Sequence, residues 1–277
     1  AVDISDPYNP FVFESQHPVG PAPHIAVSGS LKIAVAAGTP RGTDIIDISN
    51  PLYPEVVSSI PGTSVDAAIS GTTAYVVSEG DVKVIDISTP NQPQLVTTLV
   101  TPNIASGIAI SGNIAVVSDC LYGNIRVVDI SNPYAPSIVG SASLGGLSGK
   151  VAISGNVALV ANTSLGKLHL VNISVPSNPQ PLGSISTGSA LDVTAVGNLA
   201  YVSANGSGLA IVDISNPAAP RLLSNSGVTA RACAVSGGVA ILAQDSVGIQ
   251  FLDVTVPTAP SKISSFANRS AGGHLAA

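Results

Sequence analysis

Ile211-Val212-Asp213-Ile214-Ser215-Asn216-Pro217-Ala218-Ala219-Pro220 is one of seven near-copies of a single phrase in this chain. Val2-Asp3-Ile4-Ser5-Asp6-Pro7, Ile46-Asp47-Ile48-Ser49-Asn50-Pro51 and Leu252-Asp253-Val254-Thr255-Val256-Pro257 are others. The acid or amide at its centre falls at Asp3, Asp47, Asp86, Asp129, Asn172, Asp213 and Asp253, at intervals of 44, 39, 43, 43, 41 and 40 residues. A period of about 40–45 residues with strand-like contents marks a β-propeller, one four-stranded blade per repeat. The expected fold is therefore all-β: a seven-bladed β-propeller of four-stranded antiparallel blades, forming a single domain over 1–277. Blade units fall near 24–60, 65–99, 106–142, 149–185, 190–226 and 231–266, with a closing blade from 1–15 plus 273–277.

Residues 149–185 hold one whole unit. Val151-Ala152-Ile153-Ser154 reads as an inner strand closed by a Gly155-Asn156 turn, Val157–Ala161 as the second strand and Leu168–Ile173 as the third. A Pro-bounded corner, Ser174-Val175-Pro176-Ser177-Asn178-Pro179, leads to the fourth strand near 181–185. Each run is short, rich in β-branched residues and bounded by Gly, Asn or Pro, as strands require. Ala26, Ala67, Ala68, Ala109, Ala152 and Ala234 keep the inner strands small, because blades crowd at a common axis. In the corner, Pro fixes φ and forces its predecessor extended, while Asp or Asn takes up local amides. The seven centre residues therefore read as structural, accepting hydrogen bonds from the turn or from the adjacent blade. Tyr8, Tyr53 and Tyr134 lie in these corners; they are expected to pack on the neighbouring corner, the other reading being exposed anchors for a protein contact.

The composition excludes several function classes. Lys+Arg number 10 against Asp+Glu 16, a formal charge of −6, so there is no basic stripe for nucleic acid. No apolar run approaches the ~18–20 residues that span a bilayer. Charged residues make up 9%, low for a soluble protein, and small hydroxyl residues abound, which fits a scaffold of the cell exterior or cell surface. The chain opens inside a strand motif without an apolar leader, which reads as a processed or trimmed chain. Asn162, Asn172, Asn205 and Asn268 each begin an Asn-x-Ser/Thr acceptor triplet for glycosylation. Cys120 and Cys233 occupy different repeats and different repeat positions, so they are expected to be unpaired.

The units resemble LVIVD repeats, a family of bacterial and archaeal, mostly extracellular, propeller proteins with the pattern hydrophobic-x-hydrophobic-V-D-I-S-N-P-x-x-P. Residues 211–220 match it almost letter for letter, Asn172 and Val254-Thr255 are mild departures, and the likeness covers essentially the whole chain. It implies a seven-bladed propeller at the surface or outside the cell. It implies no chemistry, no cofactor and no functional residues.

Strand counting reveals an imbalance. Third and fourth strands occur seven times, but second strands only six, and a seventh first strand is just starting at 273–277. The closing blade, shared between the termini, thus lacks a strand. Either the native polypeptide continues, or a protein partner or an identical subunit supplies the strand by β-strand addition. Head-to-tail donation that fails to close would make a fibre.

Aligning the starts of the inner strands places His24, Asp66, Gly107, Lys150, Asp192, Ala232 and His274 at one ring position, with Arg231 one residue earlier. His24, Asp66, Lys150, Asp192, Arg231 and His274 would rim a channel mouth where a ligand or ion could bind. His24, Asp66 and His274 would be the set for a transition metal, against a plain rim of ion pairs. No Gly-x-Ser-x-Gly elbow accompanies the four histidines, and Asp66 and Asp192 stand too far round the ring for paired-acid glycoside chemistry. With no Trp there is no stacking platform for sugars. The leading expectation is a non-enzymatic extracellular propeller serving as a surface scaffold, adhesion module or self-assembling subunit. The alternative is a ligand- or ion-binding propeller, or a hydrolase, acting at the channel mouth.

Overall fold

The computed structural model describes residues 2–3, 6–8, 10–12, 24–244 and 248–266. Six four-stranded antiparallel sheets follow one another, each a simple meander from the axis outward. The first blade is His24–Ser28, Ile33–Thr39, Gly42–Asp47 and Glu55–Ile60; the sixth is Ala232–Ser236, Val239–Gln244, Gly248–Asp253 and Ser261–Phe266. The inner strands of successive blades touch from first to sixth, and no helix occurs among the described residues. Among the described residues no helix is long and apolar enough to cross a membrane.

The described residues thus hold six complete blades rather than seven. Ahead of them, Val2–Asp3 pairs with Phe11–Val12 as a two-stranded hairpin. These are the third and fourth strands expected of the closing blade. Its inner strand at 273–277 lies outside the described residues, and no sequence segment matches its second strand, so only the outer pair is seen.

The core is a series of seams rather than one central mass. Leu159, Leu168 and Leu170 of the fourth blade pack on Ala190, Val193, Val202 and Val212 of the fifth, and similar clusters join the other consecutive pairs. Second strands such as Ile33–Ala37 are buried on both faces, which is why they read as unbroken apolar runs. Burying one Val, Leu or Ile in such a seam stabilises by roughly 1.5–3 kcal/mol.

Six of the seven centre residues are described, and all make the same local bond. The side-chain oxygen of Asp47, Asp86, Asp129, Asn172, Asp213 and Asp253 accepts the amide two residues on, at 2.7–2.9 Å. The amides of Ser49, Ser88 and Ser131, and the hydroxyls of Ser215 and Thr255, hold the respective carboxyls below the ordinary 3.8. The bond comes from the turn, not the adjacent blade. The side chain of Asp3 lies outside the described residues.

A second contact recurs between consecutive blades. Ser58 and Ser224, at one position of the fourth strand, donate to the carbonyls of Pro90 and Pro257 in the following corner at 2.7 and 2.6 Å. Gly140 and Gly183 fill this position in the third and fourth blades, where a Cβ would overlap the Pro176 carbonyl oxygen and stand 2.7 Å from that of Pro217. Ser264 of the sixth blade makes the same bond to the Pro7 carbonyl, at 2.6 Å. The amino-terminal corner therefore stands to the sixth blade as the second blade stands to the first and the sixth to the fifth.

The corner tyrosines do not pack on neighbouring corners. Tyr8, Tyr53 and Tyr134 are 70%, 64% and 73% exposed. The corner loops turn at the outer rim, and the rings stand in solvent beyond it.

Candidate binding site in the axial channel

Strand register fixes which side chains share the channel. His24, Asp66, Gly107, Asp192 and Ala232 pair with Ala37, Val77, Ser118, Ser203 and Ala243, each the fifth residue of the run that opens its second strand. Lys150 precedes Val151, which pairs with Val160, so it takes the equivalent place. His24, Asp66, Lys150 and Asp192 line one cavity of about 310 Å³ at the axis, whose exposed lining is more polar than apolar.

The two carboxylates hold blades together. Asp66 accepts the Ala67 amide of its own strand and the Ile108 amide of the third blade, both at 2.9 Å. Asp192 does the same with the Val193 amide at 2.8 Å and the Cys233 amide of the sixth blade at 3.1 Å. These amides lie at the crowded inner edge, where no neighbouring strand pairs with them. A short acid is the side chain that can reach two of them at once.

Lys150 crosses from the fourth blade to the second. Its Nζ lies 3.2 Å from Asp66 Oδ2 and donates to the carbonyls of Val65 and Ser106 at 3.3 and 3.0 Å. The path is open because the third blade carries Gly107, whose Cβ would stand 3.0 Å from the Lys150 Cα. Burial pushes the Lys150 ammonium below its ordinary range, opposed by Asp66 and Asp192. Three acceptors around one nitrogen need three N–H groups, so the geometry keeps it an ammonium. His24 Nδ1 approaches Asp66 Oδ1 at 3.3 Å on the other side. Asp192 has no ion-pair partner among the described residues, and burial pushes its carboxyl up to about 6 against the pull of the Cys233 amide and Lys150.

The other expected site residues scatter. Arg231 is exposed and is not among the residues lining the cavity. His274 lies outside the described residues, and with it the proposed metal set; among the described residues no three His, Cys, Asp or Glu side chains group as metal ligands. Asn162 is fully buried, its Nδ2 donating to the Gly145 carbonyl at 2.7 Å and its Oδ1 accepting the Leu165 amide, which corrects its reading as a glycan acceptor. Asn172 is half-buried and caps its corner, Asn205 is exposed, and Asn268 lies outside the described residues. Both cysteines are free. Burial, then Asp192, pushes the Cys233 thiol far up, which removes it as a nucleophile.

Sequence reasoning missed the hydroxyls that also tie inner strands together, by donating to carbonyls of the next blade. Ser106 Oγ donates to the Ser148 carbonyl at 2.8 Å, Ser118 Oγ to that of Gly149 at 2.5 Å, and Thr163 Oγ1 to that of Ala190 at 2.9 Å. No spacing signal separates these from the many other hydroxyl residues of the chain. Asp66 and Asp192, on the second and fifth blades, both line this cavity.

Five stretches, residues 20–60, 61–101, 103–143, 145–187 and 187–226, match the family pattern of the LVIVD repeat. The chain belongs to the LVIVD-repeat family. No curated protein matches it significantly. Solved structures similar to this LVIVD propeller include a protein named as a candidate 6-phosphogluconolactonase from Bacteroides fragilis NCTC 9343. It is 11% identical, with a TM-score of 0.77 over 88% of this chain and 83% of that one. Another so named, from Bacteroides uniformis ATCC 8492, is 13% identical, with a TM-score of 0.76 over 87% and 83%. Saccharomyces cerevisiae Sqt1 is 12% identical, with a TM-score of 0.68 over 93% and 78%. Identities this low establish a shared propeller fold and nothing of chemistry.

Proposed function

We propose that this LVIVD propeller is a non-enzymatic interaction module of the cell exterior, a ring of seven positions that works as a scaffold subunit by associating with copies of itself. What carries the reading is the exposure of Tyr8, Tyr53 and Tyr134, with Val175 and Val256, on the corner loops. Large rings held by short, bonded turns lose little entropy when covered, which makes them suited to anchoring a protein contact. A second apolar set, Val100 at a strand end and Ile104, Leu121, Tyr122, Leu147 and Leu165 on loops, is exposed at the opposite end of the strands. Apolar surfaces at both ends of a ring fit head-to-tail stacking, which extends rather than closes. Against catalysis stands the use of the channel groups: Asp66, Asp192 and Lys150 are engaged in tying strands together. The seventh position is supported by the Ser264 bond to Pro7. Low charge and abundant small polar residues favour an exterior setting.

Electron microscopy of undisturbed material, with sedimentation of the purified chain, tests this. The expected result is ordered stacks and a concentration-dependent sedimentation coefficient, both lost in the double variant Tyr53→Ser, Tyr134→Ser. Single rings at every concentration, in wild type as in the variant, would overturn it.

A further inference from the structure

The corner face carries a pocket that the repeat does not explain. Five blades close their first hairpin with two residues, but the first blade uses four, residues 29–32, between the paired Ser28 and Ile33. Lys32 there has a φ of 55°, the one positive value outside glycine among the described residues and a conformation that L side chains rarely adopt. The longer turn puts Leu31 and Lys32 into the lining of a cavity of about 520 Å³, shared with Ile33, Val57 and, from the second blade, Pro90 and Asn91. Its exposed lining is more apolar than polar. Lys32 is exposed and forms no ion pair among the described residues. An apolar hollow with an ammonium and an amide at hand fits an aromatic ring with a polar tip.

The chain carries such a ring at its other end. The loop after the second strand of the third blade, residues 120–123, leaves Leu121 48% and Tyr122 61% exposed. Asp119 Oδ1 accepts both their amides, at 2.9 and 3.3 Å, so the projecting pair is held in place before any contact. Charge sets the polarity of the contact. The repeat puts Asp47, Asp86, Asp129, Asp213 and Asp253 on the corner face, outnumbering Lys32, Arg221 and Lys262. Corner against corner would oppose like charges. The other end, where Arg41, Lys83, Lys167 and Arg231 offset Asp44, Glu79 and Asp81, meets it without that repulsion. Glu79, exposed in the second blade's loop at that end, forms no ion pair among the described residues either.

Resting on the head-to-tail stacking proposed above, we infer that the Leu121-Tyr122 loop of one copy fills the pocket of the next, with Glu79 of the first facing Lys32 of the second. Tyr122 stands one to two blades beyond the pocket in chain order, and Glu79 one blade beyond Lys32. A single rotation of one ring upon the other therefore serves both contacts. Repeated, it makes a twisted stack.

Sedimentation of the whole chain and its variants at low ionic strength, where exposed charges are least screened, tests this. Tyr122→Ser should raise the concentration of half-assembly about thirtyfold, as loss of a central anchor does. Lys32→Glu and Glu79→Lys should each raise it about tenfold by setting like charges face to face. Mixed in equal amounts, those two variants should stack as readily as wild type, because alternating rings again join opposite charges. Misfolded rings would not recover in this way. Wild-type stacks that persist unchanged in Tyr122→Ser or in either charge reversal, or that fail to return on mixing, would overturn the inference while the stacking itself stands. Single rings of wild type at every concentration would overturn both.

Discussion

Gly140→Ala is expected to destabilise the protein by about 3 kcal/mol, although it adds one methyl group on an outer strand. The new Cβ would overlap the Pro176 carbonyl oxygen and stand 2.8 Å from Pro179 Cδ, both in the corner of the next blade. Neither neighbour is the free end of a flexible chain. Proline holds the corner in one conformation, so relief requires the third and fourth blades to part along the seam that buries Val127, Val160 and Val171. Serine at the same position of other blades donates to the proline carbonyl at 2.6–2.7 Å, so the seam tolerates two spacings, each matched to its residue. Gly140→Ser should therefore fail to rescue. Gly29 is the control: a Cβ there would meet nothing within 4 Å, and its alanine variant should change stability little. Denaturant midpoints at unchanged slope measure the difference. A Gly140→Ala loss under about 1 kcal/mol would mean that the blades are not locked at their outer strands.

Lys150→Met is the second large effect, expected to cost about 3–5 kcal/mol. The substitution keeps the hydrocarbon length and removes the ammonium, leaving the Asp66 carboxylate without its cation and the Val65 and Ser106 carbonyls without donors. Both partners are nearly buried, with side chains 12% and 10% exposed, so water compensates poorly. A double change, Lys150→Met with Asp66→Asn, should recover part of the loss, because the uncompensated charge is gone. Urea denaturation of the two variants measures this. A Lys150→Met variant as stable as wild type would show that the ion pair is not what joins blades two, three and four at the axis.

The repeat phrase was enough to read a propeller of four-stranded antiparallel blades, since Pro, Asx and alternating apolar residues act locally and each copy reports the same turn, but it pointed to seven blades where the described residues hold six. His24, Asp66, Lys150 and Asp192 could be aligned because strands keep a fixed register from those turns. What the sequence concealed is cross-blade: that Asp192 caps an amide of Cys233, 41 residues on, or that Gly107 clears a path for Lys150. Such contacts depend on how closely inner strands approach, a distance no local pattern encodes. Tyr8, Tyr53 and Tyr134 misled for a related reason, because a large ring in a rigid corner packs or projects according to the neighbour's position. Asn162 met the acceptor triplet but is buried, since a triplet says nothing of burial.

Outer strands grip the corner of the following blade, and the amino-terminal corner takes that place after the sixth blade. A crystal structure of the chain tests this most directly at one contact. The Ser264 hydroxyl should donate to the Pro7 carbonyl near 2.6 Å, as Ser224 does to Pro257. Ser264 donating instead to the Pro51 corner of the first blade would mean a ring closed by six, and would contradict this arrangement.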